Sequence, residues 1–207
     1  MKPWLCDILA CPKDKFYPLD LYIFSFETSE EKFKEIITCY EERDINNIRA
    51  EKIIKIQEEK GIIFIKDDIV LEKSSINNYL NLILSSIGEF ETIYDRTPFK
   101  ASKRCINIIR EEARRNIIKF TDINEFKNLE PILPELYLLN KIKTEIEIDT
   151  GLLFCKECKR WYPIIETIPQ MLPDEYRNEN AEIEFLKTNK DLLDSSFFKQ
   201  NLKPYNI

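Results

Sequence analysis

Hydrophobic and polar positions change rhythm several times along this chain. The first 25 or so residues open on an apolar stretch, turn at Cys11-Pro12 and run into a strand-like segment, 19–26. Phe33, Ile36, Ile37 and Tyr40 then recur at helical spacing, behind Thr28 and Glu31 as the two halves of a capping box. Segment 62–72 predicts a hairpin turning at Asp67-Asp68, or else one buried apolar run. Ile76, Tyr79, Leu80, Ile83 and Ile87 predict a helix entered through Ser75 and closed at Gly88. Thr97-Pro98 reads as cap and first-turn proline of a helix reaching about Ile118, and Pro134 as the start of a shorter one.

Near residue 145 the period falls to two. Segment 145–149 alternates strictly, Gly151 marks a turn, 152–154 leads into Cys155, and 161–165 with 168–172 complete a run of short strands. From about Asn178, Ile183, Leu186, Leu193 and Phe197 fall at helical steps and predict a surface helix. The fold class is therefore α+β. A small antiparallel β module is built from both chain ends (1–27 plus 142–176), a mainly helical block is inserted between them (28–141), and a helical tail follows (177–207).

Composition narrows the chemistry. The 207 residues carry a formal charge of −6, and 12% aromatics mark a chain able to bury a core. The absence of histidine removes the commonest general base, every Ser-His or Cys-His catalytic pair and every imidazole metal ligand. Three scattered glycines cannot form a phosphate-cradling loop. The chain reads as a partner protein without catalytic activity. Its opening residues lack the apolar core of a signal peptide, and no long apolar run suggests a membrane span, so a cytoplasmic location is expected.

In such a compartment the six cysteines suggest metal ligands or buried apolar side chains. Cys155-Lys156-Glu157-Cys158 has the two-residue spacing of a zinc knuckle. The matching N-terminal turn is Cys11-Pro12-Lys13-Asp14, which offers a carboxylate where a second thiolate would stand. A site of Cys11, Asp14, Cys155 and Cys158 is thus the main candidate, with Cys6 as rival fourth ligand. The alternative is that these thiols pack without metal or that two of them oxidise. Cys39 and Cys105 fall on helix faces and read as core, as do Trp4 and Trp161.

Ile164, Ile165, Ile168, Pro169, Met171 and Leu172 present more apolar surface than a small module can bury, which suggests that at least some of them form a face completed by a partner through strand addition and the rest are core; the alternative is that they pack on the helical block. Two rivals stand beside this reading. The helix 99–118 carries Lys100, Lys103, Arg104, Arg110, Arg114 and Arg115, a stripe able to neutralise RNA phosphates. Cys155 and Cys158 could also form a redox pair, although the expected βαβ context is missing.

The opening 2–12, with its Pro-Trp-Leu-Cys-Asp-Ile-Leu-Ala-Cys-Pro run, resembles the start of the tRNA methyltransferase 112 homologues. So do 151–164, from Gly151 through the knuckle to Trp161-Tyr162-Pro163-Ile164, and 168–173. The resemblance covers about 60 residues at the two ends. It implies a zinc-ribbon-like module, a helical second domain, no activity of its own, and zinc as the bound metal. It further implies heterodimers with class I S-adenosylmethionine-dependent methyltransferases acting on tRNA, rRNA or a translation termination factor. RNA would then be met only through the partner. Two positions depart from the family pattern: Asp14 stands for a cysteine, and Lys159 for a glycine.

Overall fold

The computed structural model describes residues 1–59, 61–122 and 128–206. The chain forms two compact units, 1–28 with 92–98 and 147–207, and 29–91 with 99–146.

The first unit is organised by a five-stranded sheet whose strands are β1 (Asp20–Phe26), β5 (Ile93–Asp95), β6 (Ile148–Phe154), β7 (Trp161–Ile165) and β8 (Ile168–Pro169), in the order β5-β1-β6-β7-β8. β1 and β6 pair antiparallel, Leu21 opposite Leu153 and Tyr22 opposite Leu152, which joins the two ends of the chain. β5 lies parallel to β1, so the sheet is mixed and not purely antiparallel. Its residues come from the middle of the sequence, inside the stretch expected to be one helical insertion.

The strand period of two sorts the side chains. Leu21, Ile23, Leu153, Tyr162 and Ile164 share one face, and all are buried. Tyr22, Leu152, Phe154 and Trp161 share the other. That second face is covered by the C-terminal residues. Here α7 (Glu179–Thr188) and α8 (Ser195–Phe198) deliver Leu186 and Phe197, with Leu193 and Leu202, into one core with Phe24, Leu152, Phe154 and Trp161. The tail is thus two helices closing a core, where one surface helix was expected.

Gly151 sits mid-strand, not in a turn. A Cβ there would lie 2.6 Å from the Tyr22 carbonyl oxygen, so only glycine lets β1 and β6 approach at the register shift after Ile23. The turn falls instead between β7 and β8. Glu166 and Thr167 both have positive φ there (47° and 66°), the geometry of a two-residue type I′ hairpin.

The second unit holds α1 (Glu30–Glu41), α2 (Ile45–Ala50) and α3 (Ile76–Gly88). A longer helical run passes from α4 (Lys100–Asn107) through a π-helical stretch (Ile108–Ala113) into α5 (Arg114–Thr121). Last comes α6 (Leu133–Asn140), which opens at Pro134 as expected and ends in a second π-helical stretch (Lys141–Glu145). That stretch takes up the start of the alternating 145–149 segment, so β6 begins only at Ile148.

A small sheet in the order β2-β3-β4 joins β2 (Lys55–Glu59), β3 (Ile62–Lys66) and β4 (Ser74–Ser75). The chain does turn at Asp67, whose carboxylate accepts the Ile69 and Val70 amides, but the returning strand is Ser74–Ser75 and not 69–72.

Three helix boundaries differ from expectation for local reasons. Ser29, not Thr28, is the N-cap of α1, because the Thr28 hydroxyl accepts the Glu147 amide. α4 begins at Lys100, where the Glu30 carboxylate accepts the Lys100 and Ala101 amides in place of a local cap. Gly88 keeps a helical backbone and the chain runs on into a 3-10 turn, so no left-handed cap forms.

Candidate metal centre and apolar edge

Two tight turns of the first unit repeat one geometry. In the first, the Cys11 amide donates to Phe16 O and the Lys15 amide to Cys11 O; Lys15 has φ 63°. In the second, the Cys155 amide donates to Arg160 O and the Lys159 amide to Cys155 O; Lys159 has φ 60°. Each lysine also reaches back to the carbonyl three residues earlier, Lys15 to Pro12 O and Lys159 to Lys156 O. Lysine thus takes the left-handed position in both turns, and its own ammonium secures the conformation.

The turns bring Cys11, Asp14, Cys155 and Cys158 together, with one ligand atom of each within 4.8 Å of all the others. Cys11 Sγ lies 3.6 Å from Cys158 Sγ, and Cys155 Sγ lies 3.5 Å from Asp14 Oδ2. Tetrahedral coordination with metal–sulfur bonds of about 2.3 Å would separate neighbouring sulfurs by about 3.8 Å. The four groups therefore suit a small tetrahedral ion with little rearrangement. Cys6 is outside the group, so Asp14 is the candidate fourth donor.

The electrostatics fit that donor set. Burial pushes the Cys155 thiol up to about 12 and raises Cys11 as well, since an isolated thiolate is poorly solvated there. Burial also tends to raise Asp14, but the Phe16 amide and the three thiols donate to its carboxylate and bring it down to about 2. A divalent cation would replace those thiol protons and offset half of the negative charge of the four deprotonated groups. Sequence reading missed Tyr162 at this centre, where its hydroxyl lies 3.3 Å from Cys11 Sγ. Its place one residue into a strand after the second knuckle gave no sign of that contact.

The six predicted interface residues divide. Ile164 is fully buried on the inner face of β7, which corrects its assignment to the surface. Ile165 (41% exposed) and Ile168 (59%) face each other across β7 and β8, Leu172 (43%) is exposed just beyond β8, and Pro169 and Met171 are partly buried. Tyr176, not anticipated from the pattern, adds a ring that is 72% exposed. Trp161 is core as expected, whereas Trp4 is 40% exposed. Strand addition has little room on β7. Its outer edge is taken by the Lys203 backbone, by the Gln170 amide on Pro163 O and by β8, so on this side of the sheet the margin is the two-residue β8.

Three of the six side chains in the basic stripe of α4 and α5 are engaged within the second unit. Arg104 pairs with Glu41, Arg114 with Glu91, and Arg110 donates to Phe90 O. The surface groove along Lys100, Lys103 and Arg104 also includes Glu111 and Glu112, so it carries both signs of charge. Among the described residues no helix is long and apolar enough to cross a membrane.

An α+β chain whose two ends pair through a sheet, with a knuckle from each end converging on one site, defines a class of two-knuckle metal-site modules. The family comparison is specific: the chain belongs to the Trm112p-like protein family, whose model matches residues 2–166. No curated protein and no solved structure matches it.

Proposed function

We propose that this protein is a non-catalytic activator and stabiliser subunit of cytoplasmic class I S-adenosylmethionine-dependent methyltransferases acting on tRNA, rRNA or translation factors. The observation that carries the reading is the exposed pair Ile165 and Ile168 at the margin of the sheet, with Leu172 exposed just beyond it, in a member of the Trm112p-like family. Water-exposed apolar side chains grouped at a sheet margin favour burial against a partner. The partner would dock chiefly on side chains, with main-chain pairing limited to β8. The metal at Cys11, Asp14, Cys155 and Cys158 would be zinc, in a structural role that locks the chain ends together. Membership of an activator family and the absence of histidine both support a subunit that does no chemistry itself.

Affinity capture of the tagged chain from native lysate, read by mass spectrometry, tests the reading directly and should recover methyltransferases at stoichiometric levels. Ile168→Asp with Leu172→Asp should abolish that capture while circular dichroism and metal content stay unchanged, because both side chains lie at the surface. Undiminished capture by the double variant would reject this surface as the interface.

A further inference from the structure

The residues beyond the family match, 167–207, do more than cover a sheet face. Lys203 lies in a parallel bridge with Arg160, immediately after the second knuckle. Its amide donates to Lys159 O at 2.9 Å, and its carbonyl accepts the Trp161 amide at 3.3 Å. The tail therefore holds the two backbone groups that flank Arg160, whose own carbonyl closes the knuckle by accepting the Cys155 amide. Lys159 is the strained residue of that knuckle, with φ 60° on a side chain that prefers negative φ.

A second set of contacts secures the same segment. The Trp161 indole donates to Tyr205 O at 3.1 Å, and the Tyr205 hydroxyl donates to Arg177 O at 3.2 Å. Arg177 is buried, forms a two-pronged pair with Glu182, donates to Trp161 O, and lies against the rings of Trp161, Tyr162 and Tyr205. Tyr162 in turn touches Cys11 of the first knuckle. Leu186, Leu193, Phe197 and Leu202 anchor the whole segment in the core.

We infer that the C-terminal segment is a strap that orders the second knuckle and slows loss of the metal held there. The ordering follows from the hydrogen bonds alone; the effect on metal rests on the zinc reading above. Without the strap, Lys159 O and the Trp161 amide turn to water and the strained Lys159 relaxes. Cys155 and Cys158 then lose the preorganisation that keeps both sulfurs aimed at one ion.

The test uses the full-length protein loaded with zinc and challenged with a chromogenic chelator, together with amide hydrogen exchange of 155–160 in the loaded and chelator-stripped forms. Lys203→Pro removes the amide that holds Lys159 O, and Tyr205→Ala removes one wall of the Arg177 site without touching the backbone at Lys203. Each should speed zinc release about tenfold and raise exchange at 155–160. Lys203→Ala, which keeps the backbone bonds, should match wild type. Ile83→Ala, at a buried position of α3 in the second unit, should lower Tm with little change in release. Wild-type release and exchange in both strap variants would overturn the proposal. So would release that merely tracked Tm across all four variants. A wild-type chain that took up no zinc would refute the metal half, and exchange in the stripped form would still decide the ordering half.

Discussion

Asp14 occupies the corner of the metal cluster where a fourth thiolate would give four equivalent sulfurs. Its carboxylate is exposed and ionised, and it already gathers the three thiols around it as donors. A carboxylate is a harder, more weakly held zinc ligand than a thiolate, so this corner sets how easily the ion leaves. Asp14→Ala removes a candidate direct ligand and should weaken zinc binding by more than the roughly tenfold to hundredfold that losing an outer-shell partner costs, and Asp14→Cys should tighten it, both read by chelator competition. Cys6→Ser should change nothing, because Cys6 lies outside the cluster. The clustered residues were legible at this level because two-residue spacing leaves a knuckle little freedom. The Tyr162 hydroxyl was not, since a side chain reaching across a sheet has no period of its own.

Along the strands, the alternation of apolar and polar positions located the elements better than their ends. β1 runs Asp20–Phe26, within one residue of expectation. β6 starts later than the alternating run because the preceding residues continue α6 as a π-helical stretch. Gly151 shows why a glycine in an apolar segment is ambiguous. It could end a strand or admit a neighbour, and here it admits the Tyr22 carbonyl. Gly151→Ala forces a Cβ against backbone that cannot yield cheaply. It should cost about 3 kcal/mol in denaturant unfolding, against a few tenths if the residue lay in an open turn.

For the molecule as a whole, the tail changes what the protein is. Phe197 packs edge-on against Tyr22, Phe154 and Phe198 in the core of the first unit, although it lies beyond the part of the chain that the family model matches. Phe197→Ala should therefore destabilise the protein by about 3–5 kcal/mol, measured by chemical denaturation. A loss below about 0.5 kcal/mol would mean that the tail is a dispensable surface appendage. The tail also bears on partner binding: by occupying the outer edge of β7 it leaves side chains, more than backbone, as the surface open to another protein.

The α+β class and the two candidate half-sites, Cys11 with Asp14 and Cys155 with Cys158, follow from local pattern: strand alternation, helical periodicity and the spacing of residues within a turn. Each of these is a property of a few consecutive residues. Which sheet face the tail covers, why β5 crosses over from mid-sequence, and that Ile164 turns inward while Ile165 faces solvent are of another kind. They depend on contacts between segments far apart in the chain, and those contacts exist only once the backbone has closed on itself.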